Sequence, residues 1–443
     1  MNEKGDELQW VDVQALRKGM FVMLELDWLS HPFPSGRFKI TSQQQIETIA
    51  KIGLTRVRVN LRKSDAVLEE SEPADRAHDA PAPAPAADES APMVLAAPEP
   101  EPESSSDAQR RKELQRIALE QHSLAQCEKR FGDAARQYRQ TVEQISIQPE
   151  AAAERCQTVV NGMLSDMLGG GETVIRLLSG VGRESPSVHP VNVTVLSLLL
   201  GKALGMAQAD LFDLGVAAFL HDMGKVQLPE RVRWPQDNFS TDEYRAYQDH
   251  VAYGVSMGKK MGLSKPVLQT IAHHHELIDG SGFPSRIRGE SMSLAARILA
   301  LVNRFDNLCN PYQSASAVTP HEALSLIFSQ LKNRFDSGAL SAFIRMMGVY
   351  PPGSVVQLVD DRFGIVVSVN SVRPLKPKLI VHESGVLREE APILDLETTT
   401  SIGIRRSIKP ATLPREALEF LAPRTRVSYF YERINDLQGA QAT

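Results

Sequence analysis

The sequence predicts a multidomain protein with an all-α helical core, preceded by a small α/β domain and followed by a small β-rich C-terminal region. Three observations predict it. The chain has 443 residues, more than one ordinary core holds. Segments 191–204, 209–221, 241–261, 265–277, 294–309 and 320–328 carry apolar residues at helical spacing, one after another. Segments 354–359, 363–369 and 378–382 then alternate or are β-branched, with turn residues at Asp360-Asp361 and Glu383-Ser384-Gly385.

Composition narrows the class. With 42% hydrophobic and 23% charged residues the chain reads as soluble and globular. A net charge of −5 and the absence of a basic tract argue against duplex nucleic acid as a partner. The longest apolar run, Val191–Leu200, includes Asn192 and Thr194 and is too short for a membrane span. The charged opening, Met1–Asp6, has no hydrophobic signal segment, so the expected compartment is the cytoplasm. Cys127, Cys156 and Cys309 form no C-x-x-C pair, which fits a reducing compartment and structural roles.

Five regions follow in order. Residues 1–66 read as the α/β domain. It has strands near Met20–Leu26, Arg37–Ile40 and Thr55–Leu61, and a helix over Ser42–Ile52 with Ile46, Ile49 and Ala50 on one face. Residues 67–106 are acidic and rich in Pro and Ala; they bury too little to offset ordering and form a stiff linker. Residues 107–171 form a helical connector and a candidate dimer helix, closed by Gly169-Gly170-Gly171. Residues 172–348 are the helical core, and 349–443 the β-rich appendix.

The chemistry concentrates in the helical core. His221-Asp222 ends an apolar helix, His250 lies in the next, His274-His275 end another, and His189-Pro190 open a fourth. A lone histidine at a helix end is usually a cap or a packed core residue. An ordered series of imidazoles with one carboxylate is instead a metal-ligand pattern that suits iron, manganese or zinc. Five histidines and Asp222 exceed one tetrahedral ion, so a two-metal site bridged by Asp222 is the economical reading. His273 is set aside, because three adjacent helical residues do not share a face. Asp279-Gly-Ser-Gly282-Phe-Pro284 reads as a tight turn, or as a loop whose backbone approaches a ligand. Glu276 and Asp279 are candidates for orienting the histidines.

These stretches resemble the HD-GYP family of the HD phosphohydrolases. The matching residues are His221-Asp-Met-Gly-Lys225, Tyr247-Gln-Asp-His250 with Gly254, His274-His-Glu-Leu-Ile-Asp-Gly-Ser-Gly-Phe-Pro284 and Arg297-Ile-Leu-Ala-Leu, over roughly residues 180–345. Leu16-Arg-Lys-Gly-Met20 through Trp28 and His31-Pro-Phe33 is similar to a small domain of unknown function that often precedes HD-GYP domains. The resemblance implies an HD-type helical core and hydrolysis of cyclic di-GMP to pGpG and sometimes GMP, using two divalent metal ions, Fe or Mn. It implies metal ligation by His189, His221, Asp222, His250, His274, His275 and, at the last ligand position, Asn303. Asp222 and Lys225 are the expected catalytic residues. Lys225 joins Asp279, Gly280, Gly282, Phe283, Pro284 and Arg288 in the expected substrate-binding set.

The chain departs from the family at three points. Asn303 stands where an aspartate is expected, with Asp306 one turn on; Ser185 stands at the family's third-metal glutamate, beside Glu184; Phe283 replaces the signature tyrosine. Asn303 opens an alternative: a catalytically weak domain that acts as a cyclic di-GMP receptor or a protein-interaction scaffold. An HD enzyme for another phosphoester is a further alternative. Expected partners are cyclic di-GMP, a second copy in a homodimer, and proteins reached through the N-terminal domain.

Overall fold

A computed structural model describes residues 8–24, 37–51, 56–60, 64, 105–178, 186–235, 238–312, 316–370, 372–388, 391, 393–399, 401–424 and 426–433. Most of the expected linker, the Trp28 and His31–Phe33 stretch, and Glu184–Ser185 lie outside the described residues. The chain divides into two compact units, Met1–Ala97 and Pro98–Thr443.

Among the described residues the first unit is a four-stranded antiparallel sheet with one α-helix. Its strands are β1 (Leu8–Asp12), β2 (Phe21–Met23) and β3 (Arg37–Lys39), then β4 (Arg56–Asn60) after helix α1 (Gln43–Lys51). They lie in the order β1-β4-β2-β3. The expected alternation in β4 holds: Val57 and Val59 are buried with Val22, and Ile49 and Ile46 of α1 join their cluster. Ala50, expected on the same face, is exposed.

The second unit opens with the helical hairpin α2 (Ser105–Gln144) and α3 (Pro149–Leu168). Phe131, Ala134 and Tyr138 of α2 join Cys156, Val160 and Met163 of α3 in the main core, so this face of α2 is used within its own chain. Strand β5 (Thr173–Leu177) follows, then α4 (Val188–Ala203), α5 (Gln208–Leu220), α6 (Thr241–Lys260), α7 (Lys265–Ala272), α8 (Leu294–Cys309), α9 (Pro320–Gln330) and α10 (Ser337–Met347). Helix α4 is buried along Pro190–Gly201, as an apolar-all-round helix at the centre of a bundle must be. Sharp starts place the helices that carry the site. Ser240 forms a capping box with Glu243 at α6, and Ser264 and Ser293 cap α7 and α8.

The chain ends in β6 (Val355–Leu358), β7 (Phe363–Asn370), β8 (Lys378–Val381), β9 (Ile393–Asp395), β10 (Ile404–Ser407), helix α11 (Arg415–Leu421) and β11 (Tyr429–Arg433). The sheet order is β10-β6-β7-β5-β11, with β8 on β7 and β9 on β8. The expectation that residues 172–348 are purely helical is corrected here: β5 sits between β7 and β11, pairing Leu177 with Tyr429 and Ile175 with Val369. Its five residues, Thr-Val-Ile-Arg-Leu, lack polar alternation because every one is buried. Arg176 of β5 forms buried ion pairs with Glu120 of α2 at 2.7 Å and Glu432 of β11 at 2.6 Å. Removing one partner of such a set costs roughly 3–5 kcal/mol, because a buried charge is left unmatched.

Candidate metal centre

Each ligand candidate sits where a helix begins or has just ended, apart from His250 and Asn303, which lie within helices. His189 is the second residue of α4, and His221 follows the last residue of α5. Asp222 and Lys225 lie in the turn after it, His250 within α6, and Asn303 within α8. Helix α7 ends at Ala272, earlier than the expected Leu277, so the histidine trio lies in a turn. That is why adjacent His274 and His275 both reach the centre, with ring centroids 4.1 Å apart; on a helix they would diverge. His273 is not among the converging residues.

The protons on these imidazoles can be assigned from their partners. Nδ1 of His221, His250 and His274 lies 2.7, 2.5 and 2.6 Å from the carbonyl oxygen three residues earlier, of Ala218, Tyr247 and Ile271. A carbonyl only accepts, so each Nδ1 carries the proton and each Nε2 presents a lone pair. His189 Nδ1 donates to Asp306 Oδ2 at 2.6 Å, with the same result. The four lone pairs then face one another: His189 and His221 Nε2 are 3.2 Å apart, and His250 and His274 Nε2 3.3 Å. Two bare lone pairs at that distance repel, and a cation between them removes the conflict.

Asp222 divides its oxygens between two groups. Oδ2 stands 3.4 Å from His221 and 3.6 Å from His189; Oδ1 stands 3.7 Å from His250 and 3.8 Å from His274. Oδ1 is buried without a hydrogen-bond partner, and so is His275 Nε2. Ligand atoms of Asp222, His250, His274 and His275 lie within 4.8 Å of one another, as do those of His189, His221 and Asp222. Burial opposes the charge on Asp222, but Lys225, His221 and His189 outweigh it and hold the carboxyl well below the usual carboxylate range. Burial and neighbouring imidazoles push His274 and His275 well below the usual histidine range, and burial pushes His250 down to about 4. An anionic carboxylate beside His250, His274 and His275, whose imidazoles burial keeps neutral, is a donor set that suits a divalent metal.

Two glycines make the packing possible. A Cβ on Gly224 would meet the His250 carbonyl oxygen at 2.0 Å and Gly254 N at 2.5 Å, so the turn holding Asp222 lies directly on α6. A Cβ on Gly282 would meet His275 O, Glu276 Cα and Leu277 N, each at 2.5 Å. The ring of Phe283 stacks on His275, centroids 4.4 Å apart. That contact uses the ring alone, which explains why a phenylalanine serves here.

The neighbours differ from expectation in their tasks. Glu276 does not orient a histidine; it accepts from the backbone N–H groups of Ser285, Arg286 and Ile287 and so clamps the loop. Asp279 likewise accepts from Ser281 N and Oγ within that loop. Asp306, fully buried, fixes His189 and accepts from Asn192 and Asn310, so it buttresses a candidate ligand. Lys225 Nζ donates to Asp222 Oδ2 at 2.6 Å. Asn303 is buried, and its Oδ1 accepts from Asn307 at 2.7 Å.

His189, Lys225, His274, His275 and Asn303 border a cavity of about 1020 Å³. Of the expected substrate-binding set, Lys225, Gly282 and Phe283 line it, whereas Asp279, Gly280, Pro284 and Arg288 do not. The cavity also takes Tyr247 of the Tyr247–His250 stretch, and Trp234, Arg304, Tyr312, Arg334 and Arg426, which sequence reasoning missed. They come from separate elements, and no spacing links them.

The "HD domain" family description matches residues 128–338, and "Domain of unknown function (DUF3391)" matches residues 8–156. A cyclic di-GMP phosphodiesterase of Pseudomonas aeruginosa is 27% identical over 393 residues, 87% of each chain. The cyclic di-GMP phosphodiesterase response regulator RpfG of Xanthomonas campestris is 27% identical over 46% of this chain and 56% of its own. A 3'3'-cGAMP-specific phosphodiesterase of Vibrio cholerae is 29% identical over 37% of this chain and 35% of its own. Among solved structures, a protein of Bdellovibrio bacteriovorus described as HDG"Y"P aligns with TM-score 0.39 and 14% identity over 76% of this chain and 98% of its own. The chain carries an HD domain, with a DUF3391 domain ahead of it.

Proposed function

We propose that this protein is a metal-dependent phosphodiesterase that hydrolyses cyclic di-GMP to linear pGpG in the bacterial cytoplasm. The observation that carries the reading is the convergence of four imidazole lone pairs on the two oxygens of one buried carboxylate. His189 and His221 on one side, and His250, His274 and His275 on the other, would hold two divalent ions, iron or manganese, with Asp222 between the two groups and Asn303 as a further oxygen donor. Such ions, when bound, polarise a phosphodiester and lower the proton affinity of water. Lys225, anchored by Asp222 at the cavity edge, donates to a non-bridging phosphate oxygen and offsets the charge that grows there. Phe283, Trp234 and Tyr247 surround the centre with rings that exclude bulk water. The Pseudomonas aeruginosa relative, alike over most of both chains, supports this substrate.

One observation favours a second reading. Asn303 offers a neutral oxygen in place of a carboxylate, and that oxygen already accepts from Asn307. A centre that holds one of its ions weakly would serve as a cyclic di-GMP receptor or scaffold. The deciding test loads the purified protein anaerobically with iron(II) or manganese(II), adds cyclic di-GMP or 3'3'-cGAMP, and follows products by chromatography beside His221→Ala. Metal-dependent conversion of cyclic di-GMP that disappears in the variant is expected. A metal-loaded protein that binds the dinucleotide without turnover sinks the enzyme reading and leaves the receptor.

A further inference from the structure

The cavity is cationic although the chain is net acidic at −5. Lys225, Arg304, Arg334 and Arg426 line it, and no carboxylate does among the described residues. Lys225 is matched by Asp222, and Arg426 donates to the carbonyls of Tyr312 and Pro311 at 2.9 and 3.3 Å. Arg334 keeps one long contact, Nε to Asp279 at 4.0 Å, and that carboxylate already serves Ser281. Arg304 has no carboxylate partner among the described residues and lines the same cavity wall as Arg334. Both are rooted in fixed elements. Arg304 follows Asn303 on α8, and Arg334 ends a one-turn helix whose carbonyl accepts from Ile278 at 3.0 Å.

Two neighbouring guanidinium groups in a concave wall repel unless an anion lies between them. Their planar donor forks match the oxygens of a phosphate. The same cavity holds Trp234 and Tyr312, stacked with centroids 5.4 Å apart and planes 2° apart, an aromatic surface on the scale of a purine. We propose that Arg304 and Arg334 form a second phosphate subsite, which holds the non-reacting phosphodiester of a cyclic dinucleotide while the other lies at the histidine cluster. The inference rests on the phosphodiesterase reading and adds to it the residues that select a ligand with two phosphates.

Calorimetric titration of the full chain with cyclic di-GMP, in EDTA so that no turnover intervenes, tests it. Arg304→Ala and Arg334→Ala each weaken binding about tenfold to a hundredfold, since a charge-assisted hydrogen bond is lost. Each also lowers the slope of log affinity against log salt by about one, as expected when one phosphate contact goes. Arg304→Lys restores the slope and part of the affinity. Unchanged affinity in both alanine variants, or a loss with an unchanged salt slope, overturns the subsite and leaves the substrate reading standing. A wild-type chain that binds no cyclic di-GMP, either in EDTA or loaded with manganese(II), overturns the substrate and the subsite together.

Discussion

The half of the cluster around His250, His274 and His275 brings three imidazoles to Asp222, whereas the half around His189 and His221 brings two. In the first half the side chains of His250 and His274 are 0% exposed and their Nδ1 protons are tied to backbone carbonyls, while His275 is half-buried at the cavity wall. The second half is looser. His189 stays 15% exposed, and its tautomer depends on a side chain, Asp306. Where the family resemblance expects a further carboxylate, Asn303 lies buried at the cavity edge with its Oδ1 accepting from Asn307. Backbone-held ligands persist with or without a metal, whereas side-chain-held ligands depend on every member of their network. The two ions should therefore be held unequally, with the His189–His221 side the weaker.

The largest change expected is from Asp222→Ala, which removes the one carboxylate common to both halves. Metal content, read by elemental analysis, falls toward zero, and turnover falls by about a thousandfold or more, the equivalent of about 4 kcal/mol. Retention of both ions would break the picture of a shared bridge. Next comes Gly224→Ala, which drives a methyl group into the His250 carbonyl. It should cost about 3 kcal/mol or more through overpacking and disturb both halves alike. Thermal denaturation measures it, and an unshifted midpoint would mean that the turn and α6 are not in close contact.

Two variants address the asymmetry itself. Asp306→Asn should weaken only the His189–His221 side, by about tenfold to a hundredfold in metal affinity, as loss of a ligand's supporting partner does. Equal weakening of both ions in a competition titration would end the idea that the halves are independent. Asn303→Asp should move in the opposite direction and strengthen the weaker ion by about tenfold, roughly 1.4 kcal/mol for an added nearby charge. The smallest effect concerns pH. Burial pushes His250 from the usual 6.5 down to about 4, so between those values the unfolded chain binds more protons than the folded one. Stability of the metal-free protein therefore falls as pH drops through that window and is unaffected by this group above it. Melting scans in EDTA from pH 7.5 to 4 check the sign.

Much of the site was legible in the sequence because its ligands sit in short ordered motifs. His221-Asp222, His250 and His274-His275 fall at helix ends or on a helical face, and periodicity locates those helices within a few residues. What periodicity hid was the early end of α7. The run Val267-Leu-Gln-Thr-Ile-Ala-His keeps helical spacing up to His273, and only the Glu276 clamp and the Gly282 contact reveal that a turn takes over. Strand β5 was hidden for a different reason: a strand buried on both faces shows no alternation, and at five residues it is indistinguishable from a loop beside a helix.

By itself, the sequence determined the helical core between two β-containing regions, the helix starts at Thr241, Lys265 and Leu294, and which imidazoles and carboxylate are candidate donors. These depend on local spacing and local hydrogen bonding, which a linear pattern records. Only the tertiary structure decided which donors share an oxygen of Asp222, that Asp306 supports His189, and that Arg304 and Arg334 stand together on a cavity wall. Apart from the adjacent His221 and Asp222, those relations join residues tens to more than a hundred positions apart. They arise from the packing of α4 against α8 and of the loop after α9 against the histidine turn, and no periodicity along the chain encodes such contacts.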